Sequence, residues 1–422
     1  MKKLVHVVGA GLAGLAAAVQ LQRRGAQVVL HDAAVYAGGR CRSYYDSRLG
    51  ATIDSGNHMV LSGNAATMNY LRAIGAVDEL VGPDQPEFPF VDLATLARWT
   101  VRVSPGHLPW WIFDAAARVP NTGPADYLAL VPLLFARPGR SVGETMRCSG
   151  ALWDRLLRPL FHALLNVGPR EASAELTGAM LRETLLAGGL ACRPLVARNG
   201  LGSAFVDPAL RLLQHGGAAI QLGSRLNDIV FSTDNTRVQA LRFANEHVAL
   251  APNQAVLLAV PPEVAPTLVP GLRAPNRFAA VAHAHFAVEP PLGLPPITGL
   301  LNGTAGWLFA TDGRLSVTVN AAERVLDMPR DELARTLWAE VARAVNLPVD
   351  PLPAWQVVLE KHATFAALPD QDTLRPGTRT RWNNLTLAGD WTATGLPATI
   401  EGAIRSGQKA ADLLLNQPME RR

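Results

Sequence analysis

The sequence contains little cysteine and little lysine. Its three cysteines, Cys41, Cys148 and Cys192, are far apart and form no C-x-x-C pair. This excludes a disulfide scaffold and a thiolate zinc site, and it favours reduced thiols in the cytoplasm. Lysine occurs only at positions 2, 3, 361 and 409, and the formal net charge is +4. Because this excess is small and no basic-aromatic module is present, we expect no nucleic acid partner.

Long apolar runs are also missing, so we expect no membrane-spanning helix. The densest apolar stretch is Trp110–Phe113 (WWIF), with YLALVPLLF shortly after it. Two interpretations stay open: a buried core, or a surface that contacts a bilayer or opens onto an apolar tunnel. We expect a cytoplasmic protein that is peripheral to the inner face of the cytoplasmic membrane, where a mild positive charge would assist docking.

The first twenty residues, MKKLVHVVGAGLAGLAAAVQ, fit two incompatible interpretations. Two lysines, an apolar run and small residues are typical of a secretory signal. The same letters place Gly9, Gly11 and Gly14 after an apolar strand, and a helix, a second strand and Asp32 follow. A signal peptide has no reason to precede a matched second strand that ends in a carboxylate. The segment therefore predicts a dinucleotide-binding site.

Each part of this segment has a chemical role. Gly9 allows the tight turn, Gly11 lets the backbone approach a pyrophosphate, and Gly14 lets the helix pack close to the strand. The helix N-terminus offers free N–H groups to the phosphates. Asp32 accepts hydrogen bonds from a ribose 2′-hydroxyl, which argues against a 2′-phosphate.

The C-terminal stretch NLTLAGDWTATGLPATIEGAIRSGQKAADLL predicts a strand, a glycine turn and a long helix. Gly389 would let the backbone come close to a ligand, and Asp390 would accept hydrogen bonds from a sugar-alcohol chain. Pro397 suits the first turn of a helix, and residues Ala398–Ile400 would direct positive dipole at a ligand. Since a reduced flavin carries negative charge at its N1–C2=O edge, this arrangement favours a flavin; we expect Glu401 to cap the helix start.

The middle of the chain adds Gly38-Gly39-Arg40 and, later, Asp54-Ser55-Gly56-Asn57-His58. The G-x-G-x-x-G with Asp32, GGR-x-x-S at 38–43 and the C-terminal GD together resemble the amine oxidase and phytoene desaturase superfamily of FAD proteins. Within it, IDSGNHMVLSG, ALLNVGPREASAELTGAMLRE and LAGDWTATGLPATIEGAIRSGQKAA resemble the bacterial hydroxysqualene dehydroxylases, also described as squalene-associated FAD-dependent desaturases.

This resemblance implies an α/β fold: a Rossmann-like FAD-binding domain of the glutathione-reductase and amine-oxidase type, discontinuous in sequence, with a substrate domain of mixed helices and sheet. We place the FAD-binding domain at 1–80, 201–275 and 355–422, and the substrate domain at 81–200 and 276–354. The implied cofactor is FAD. The residues that the resemblance places around it are Gly9, Gly11, Leu12, Ala13, Gly14, Asp32, Gly39, Arg40, Gly56, Asn57, His58, Leu226, Val260, Gly389, Asp390, Pro397, Ala398, Thr399 and Ile400.

Their implied roles follow the parts of the cofactor. The first glycine turn holds the pyrophosphate, and Gly39 and Arg40 lie along the phosphates. Residues 56–58 lie near the isoalloxazine. Leu226 pairs its backbone with adenine, with Val260 close by. Residues 389–390 meet the ribityl chain, and residues 397–400 meet the pyrimidine edge.

The substrate implied by the resemblance is hydroxysqualene, a C30 isoprenoid on the route to squalene and hopanoids. The hydroxyl leaves as water from an allylically stabilised carbon, and reduced flavin N5 delivers hydride. The reaction needs an acid and a dry apolar tunnel. We assign the acid to His58 and its orientation to Asp54. We expect His283 and His285 to be core and surface neighbours, and no metal is expected.

Three alternatives stay open. A carotenoid or phytoene-type desaturase or isomerase shares the flavin and the tunnel. A flavin amine oxidase is disfavoured by Tyr36, where the wider superfamily commonly has arginine, and by the neighbours of Lys361. A non-enzymatic prenyl-lipid-binding protein of the escort type needs no flavin. The sequence leaves open the electron donor and the oligomeric state.

Overall fold

A computed structural model describes residues 2–416. Its strands are β1 (Leu4–Val8), β2 (Gln27–Asp32), β3 (Ser43–Asp46), β4 (Ala51–Asp54), β5 (Met59–Leu61), β6 (Leu80–Val81), β7 (Glu87–Asp92), β8 (Arg98–Arg102), β9 (Pro194–Ala197), β10 (Ala219–Leu222), β11 (Leu226–Phe231), β12 (Val238–Phe243), β13 (His247–Ala249), β14 (Gln254–Leu258), β15 (Phe278–Phe286), β16 (Ile297–Leu301), β17 (Trp307–Thr311), β18 (Arg314–Asn320), β19 (Trp355–Phe365) and β20 (Leu385–Leu387).

The α-helices alternate with these strands at the two ends of the chain and cluster in its middle. They are α1 (Leu12–Arg23), α2 (Ala65–Ile74), α3 (Val131–Leu134), α4 (Val142–Thr145), α5 (Arg158–Leu165), α6 (Ala174–Glu183), α7 (Asp207–His215), α8 (Ala265–Leu268), α9 (Arg330–Val345), α10 (Pro369–Asp372) and α11 (Ile400–Asn416). In the described part of the chain, none of these helices is both long and apolar enough to cross a bilayer.

A five-stranded parallel sheet forms the first layer, in the order β10-β2-β1-β14-β20. Its inner strands are nearly continuous apolar runs because helices cover the sheet. Helix α1 is buried along most of its length by small side chains, and it packs closely against α11 from the other end of the chain. The predicted strand, glycine turn, helix and second strand are therefore confirmed as a Rossmann-type unit.

A seven-stranded sheet forms the second layer, in the order β19-β15-β18-β17-β16-β7-β8. All its neighbouring strands are antiparallel except β16 and β7. Helix α9 packs against one face of this sheet. The strand Trp355–Phe365 pairs with β15 here, so the boundary predicted at 355 is wrong for this strand. The chain leaves the second sheet only after Phe365, because an alternating strand pattern does not specify which sheet the strand joins.

Two histidines lie inside the nucleotide layer. His6 on β1 and His31 on β2 are 5% and 1% exposed, and their Nδ1 and Nε2 atoms are 3.1 Å apart. The ring of His31 also stacks on Phe243. Burial lowers the pKa of each imidazole from 6.5 to about 4, with the charge of His6 lowering that of His31 further. Both rings are therefore neutral when the protein is folded at neutral pH.

The fold should lose stability as the pH falls from 6.5 to about 4. In this range the unfolded chain binds protons that the folded rings do not accept, and each imidazole costs on the order of 3 kcal/mol. The free energy of unfolding, measured by urea titration across this range, should show a shallower pH slope in the double variant His6→Leu/His31→Leu. Equal slopes in the variant and the parent would contradict this assignment.

Candidate functional site: a dinucleotide cleft joined to an apolar cavity

The N-terminal glycine turn lies between β1 and α1. Gly11 is the N-cap of α1 with an extended backbone, and no side chain caps the helix. The first-turn N–H groups of Leu12, Ala13 and Gly14 are thus left for an outside acceptor, and they coincide with the positive end of the helix dipole. This is the arrangement expected for a bound pyrophosphate.

The three glycines of the turn are not equivalent. A Cβ at Gly14 would overlap the carbonyl oxygen of Gly9, and a Cβ at Gly9 would overlap that of Ala259. A Cβ at Gly11 would meet no atom of the described chain within 4 Å. Gly9 and Gly14 are therefore closed in by their own chain, whereas Gly11 borders open space. That space fits a ligand that lies directly on the backbone.

Asp32 is fixed at the end of β2 beside this turn. Its Oδ2 accepts a hydrogen bond from Ala10 N at 2.6 Å, and its Oδ1 accepts one from Ala34 N at 2.7 Å. The backbone oxygen of Asp32 accepts from Ser224 N at 2.7 Å. This contact brings the start of β11, where Leu226 lies, next to the same strand end. The structure thus groups the residues that the sequence assigned to an adenosine half.

Val260 lies at the opposite side of the turn, beyond the end of β14. Its carbonyl oxygen accepts a hydrogen bond from Trp391 Nε1 at 2.9 Å. The indole of Trp391 also fills the space beside Gly389, where a Cβ would collide with it. Gly389 therefore makes room for Trp391 on that side, and the approach of its backbone to a ligand stays a prediction. Sequence reasoning missed Trp391, which attaches the C-terminal loop to β14.

Arg40 and Asp390 form an ion pair across 350 residues of sequence. Arg40 Nη2 lies 2.7 Å from Asp390 Oδ2, and Arg40 Nη1 donates to Ala363 O at 2.8 Å. Asp390 is buried, and its charge raises the pKa of Arg40. The residues that were assigned to the phosphates and to the ribityl chain of the cofactor are therefore in direct contact.

A second arginine holds the loop after Asp390. Arg375 is buried and donates to the backbone oxygens of Asp390 and Thr392 at 3.0 Å and 2.6 Å. It also pairs with Asp372 at 2.9 Å. Nothing in its neighbourhood in the sequence, LRPGTR, distinguishes a buried arginine from an exposed one. This residue was not predicted.

The C-terminal helix begins later than expected. Helix α11 starts at Ile400, and Thr399 Oγ1 accepts a hydrogen bond from Gly402 N at 3.0 Å. Pro397 and Ala398 therefore precede the helix, which corrects the placement of Pro397 in its first turn. The hydroxyl of Thr399 is the better cap because it satisfies a first-turn donor, which proline cannot do.

Glu401 caps a different helix from the one expected. Its Oε2 accepts from Thr67 N and Thr67 Oγ1, both at 2.8 Å, and its Oε1 accepts from Ala66 N at 3.1 Å. These donors lie in the first turn of α2. Arg405 joins Glu401 to Glu183 of α6, with two contacts of 2.8 Å and 2.6 Å to Glu183. This network connects the nucleotide layer to the helical insert.

The loop from Asp54 to His58 lies between the two layers. Asp54 is buried and accepts hydrogen bonds from Ser43 Oγ and, at 2.8 Å, from Leu201 N. His58 Nδ1 lies 3.1 Å from the carbonyl oxygen of Gly56. The predicted orientation of His58 by an Asp54 hydrogen bond is therefore wrong, because Asp54 holds the β3–β4 hairpin against residue 201. It acts on His58 only through its charge, which raises the pKa of His58 against the lowering by burial.

His283 and His285 both lie on β15 and are both buried, at 5% and 0% exposure. The expectation of one core and one surface neighbour is wrong for His285, since residues two apart on a strand share one face. Within residues 2–416 no group of three or more histidine, cysteine or carboxylate side chains is arranged to hold a metal ion.

An apolar cavity begins one residue after His58. The space between its lining residues, open solvent included, is about 920 Å³. Met59 and Leu61 of β5 line it together with Trp111 and Tyr127. Leu156, Leu160 and Leu164, which recur at helical spacing in the sequence, supply another part of the wall. The lining is almost entirely hydrocarbon, as expected for a site that takes a long apolar molecule and excludes water.

Exposed apolar side chains lie close in sequence to the cavity-lining residues Trp111, Tyr127 and Leu185, and we call them the apolar rim. Trp110 is 65% exposed although the adjacent Trp111 is 7% exposed and lines the cavity. Hydrogen bonds from Gly189 N to Gly106 O and from Leu190 N to Pro105 O join the two loops that carry the rim. The rim consists of Leu108, Trp110, Phe113, Leu128, Val131, Phe135, Leu186 and Leu190, each at least 43% exposed.

Known proteins resemble this chain over nearly its whole length. The family described as flavin containing amine oxidoreductase matches residues 12–415. A hydroxysqualene dehydroxylase of Rhodopseudomonas palustris is 52% identical over 98% of this chain and 99% of its own. A hydroxysqualene dehydroxylase of Zymomonas mobilis is 44% identical over 98% of this chain and 99% of its own.

More distant proteins share the fold. A 15-cis-phytoene desaturase of Glycine max is 23% identical over 97% of this chain and 79% of its own. A solved structure of a putrescine oxidase double mutant superposes with a TM-score of 0.70 at 17% identity, covering 98% of this chain and 99% of that one. At this identity the likeness extends to the fold alone.

The glycine turn generates a paired prediction. Gly11→Ala should leave the thermal midpoint of the cofactor-free protein unchanged or slightly raised, while flavin binding weakens at least tenfold, because the added methyl group enters the ligand space. Gly14→Ala should lower the midpoint itself, because its methyl group overlaps the Gly9 carbonyl. Thermal melts and fluorescence titration with flavin separate the two effects. Unimpaired flavin binding by Gly11→Ala would refute the assignment of this space.

Proposed function

The chain belongs to the flavin containing amine oxidoreductases and, within that family, to the hydroxysqualene dehydroxylases, and we propose that it converts hydroxysqualene to squalene. One structural observation carries this activity: the loop that carries His58 contacts Arg40 of the dinucleotide cleft through Ser55 and continues directly into Met59, which lines the apolar cavity. A redox cofactor and a long hydrocarbon can therefore meet at one point.

The reaction removes a hydroxyl group and adds hydrogen. The carbon–oxygen bond breaks as the oxygen takes up a proton and leaves as water, and the allylic carbon receives a hydride. When bound, the reduced flavin supplies that hydride. The protein must hold the hydroxyl-bearing carbon at the cleft, supply the proton and keep water away from the electron-poor carbon. A two-electron donor of unidentified nature must restore the reduced flavin after each turnover.

The flavin is FAD rather than a mononucleotide. The uncapped start of α1 and the open space beside Gly11 suit a pyrophosphate, and Asp32 suits the adenosine ribose. Arg40, Asp390 and the amides at the start of α11 would then surround the flavin half. The fold already positions the backbone amides and the side chains that would hold each part of the cofactor.

His58 is the proton donor in this proposal. Its Nδ1 donates to the Gly56 carbonyl, so the proton to be transferred is carried on Nε2. Burial lowers the pKa of His58 from 6.5, and this makes its protonated ring a stronger acid. A stronger acid suits a weakly basic alcohol oxygen. His58 lies one residue from the Met59 wall of the cavity, where the hydroxyl would arrive.

The competing functions lack comparable support. The relative named as a desaturase is only 23% identical, against 52% for the hydroxysqualene dehydroxylase. Lys361, which an amine oxidase would need beside the flavin, is exposed on β19. A non-enzymatic escort protein would not need the open dinucleotide cleft.

Product analysis tests the activity. Anaerobically reduced protein incubated with hydroxysqualene should yield squalene by mass spectrometry, and phytoene should remain unchanged. Oxidised protein under the same conditions should yield no squalene, since no hydride is available. Desaturated phytoene products, or hydroxysqualene left intact by the reduced, flavin-loaded protein, would overturn the proposal.

The apolar rim is the surface that would contact the inner face of the cytoplasmic membrane. Its exposed side chains adjoin the residues that line the cavity, as Trp110 adjoins Trp111, and a C30 substrate is dissolved in the bilayer rather than in water. Arg137 is exposed two residues after Phe135 and would meet anionic headgroups. Docking through the rim would let the substrate enter without crossing water.

Vesicle binding tests this contact. Trp110→Ser/Phe113→Ser should reduce binding to phosphatidylcholine–phosphatidylglycerol vesicles at least tenfold in a flotation assay, because two exposed rings are lost. Leu292→Ser, at a fully exposed leucine in the loop between β15 and β16, is the matched control and should bind as the parent does. Equal binding by all three proteins would exclude the rim as the docking surface.

A further inference from the structure

Two imidazole rings lie against the same side of Gly56. A Cβ built on Gly56 would be 2.9 Å from His283 Nε2 and 3.1 Å from His58 Cε1. His58 comes from the loop before β5, whereas His283 comes from β15 in the second sheet. The absence of a side chain at Gly56 therefore allows a ring from this loop and a ring from the second sheet to approach one another beside the proposed flavin site.

Hydrogen bonds determine which nitrogen of His283 carries the proton. Its Nδ1 accepts from Asn57 N at 3.3 Å and lies 3.1 Å from Thr318 Oγ1. Asn57 Nδ2 donates to Thr318 Oγ1 at 3.2 Å, so the threonine oxygen accepts there and directs its own hydrogen to His283. With two donors aimed at Nδ1, the neutral ring must carry its hydrogen on Nε2.

His58 has the opposite arrangement. Its Nδ1 donates to the carbonyl of Gly56, which leaves Nε2 without a hydrogen when the ring is neutral. Burial lowers the pKa of both rings, and that of His283 is well below 6.5, so His283 stays neutral and keeps its Nε2–H as a fixed donor. The pair thus offers one permanent hydrogen-bond donor and one nitrogen that can gain and release a proton.

We propose that His283 is a further catalytic residue, whose Nε2–H donates a hydrogen bond to the substrate hydroxyl while His58 supplies the proton. This assignment rests on the proposed function. The hydroxyl oxygen would bind between the rings, accept the hydrogen bond from His283, take the proton from His58 Nε2 and leave as water. His58 is reprotonated from solvent before the next turnover, and His283 ends each cycle unchanged.

The neighbouring histidine does not share this role. His285 Nδ1 lies 2.8 Å from Ser316 Oγ, and its Nε2 is fully enclosed without a hydrogen-bond partner in the described chain. It lies on the same strand and is as deeply buried as His283. His285→Asn is therefore a matched control for the effect of replacing a buried histidine on β15.

Two substitutions separate the donor from the structural role of His283. His283→Asn keeps an acceptor near the position of Nδ1, for Asn57 N and Thr318, but loses the Nε2 donor. His283→Gln keeps a donor near Nε2 but loses that acceptor. With hydroxysqualene and reduced flavin, we expect kcat to fall about 100-fold in His283→Asn and less than tenfold in His283→Gln. His285→Asn should keep the kcat of the parent.

Nitrogen-15 NMR of the oxidised, flavin-loaded protein gives a readout that does not depend on turnover. The parent should show a His283 ring that is protonated at Nε2 and unprotonated at Nδ1 across neutral pH. A ring protonated at Nδ1, or a kcat of His283→Asn within twofold of that of the parent, would overturn the proposal. If the parent itself makes no squalene, the proposed function fails, while the NMR measurement still decides the hydrogen-bond arrangement.

A third variant covers the case in which both His283 variants fail to fold. Thr318→Val preserves shape but removes the hydroxyl that donates to Nδ1. We expect the Nε2–H form to become less dominant by NMR and kcat to fall several-fold without a change in KM. An unchanged tautomer together with an unchanged kcat would contradict the assigned network.

Discussion

The N-terminal and C-terminal segments of the chain pack against each other, and the remaining geometry of the site follows from this packing. Helix α1 packs against helix α11 from the other end of the chain. The Arg40–Asp390 ion pair attaches the loop after β20 to the turn after β2, and the Trp391–Val260 hydrogen bond attaches it to the end of β14. Asp390 and Trp391 are buried, and a buried carboxylate needs its counter-charge, so the loop after β20 depends on Arg40.

The packing of distant segments against each other explains why the dinucleotide-binding segment could be predicted from the sequence, whereas the boundaries of the domain could not. The pattern from β1 to Asp32 is local, because strand period, glycine spacing and helix period all act within about thirty residues. Trp355–Phe365 has an equally clear strand pattern, but its sheet is set by pairing with β15, about seventy residues away. Likewise, Asp54 was expected to orient His58, but its partners are Ser43 and Leu201, which come from segments that no local pattern connects.

The cavity shows the same division between periodicity and tertiary context. The leucines at 156, 160 and 164 follow helical spacing, so a common face was predictable, and that face lines the cavity. For Trp110 and Trp111 the sequence left two interpretations open, a buried core or an exposed surface. The first applies to Trp111 and the second to Trp110. Trp111 points inward and Trp110 outward on one short 3₁₀ turn, because adjacent residues on such a turn diverge by about 120°. The apolar stretch Trp110–Phe113 therefore contributes both to the cavity wall and to the exposed apolar rim.

A dry site that must still deliver a proton has few physical solutions. A free carboxylate in such a cavity would be costly to bury, and Asp54 is instead held by hydrogen bonds away from it. Imidazole can be buried neutral if one nitrogen is satisfied by the protein and the other is left to the substrate. His58 meets this condition through Gly56, and His283 meets it through Asn57 and Thr318. Because His58 comes from the loop between the two layers and His283 comes from the second sheet, the proton-transfer site can exist only where this loop packs against that sheet.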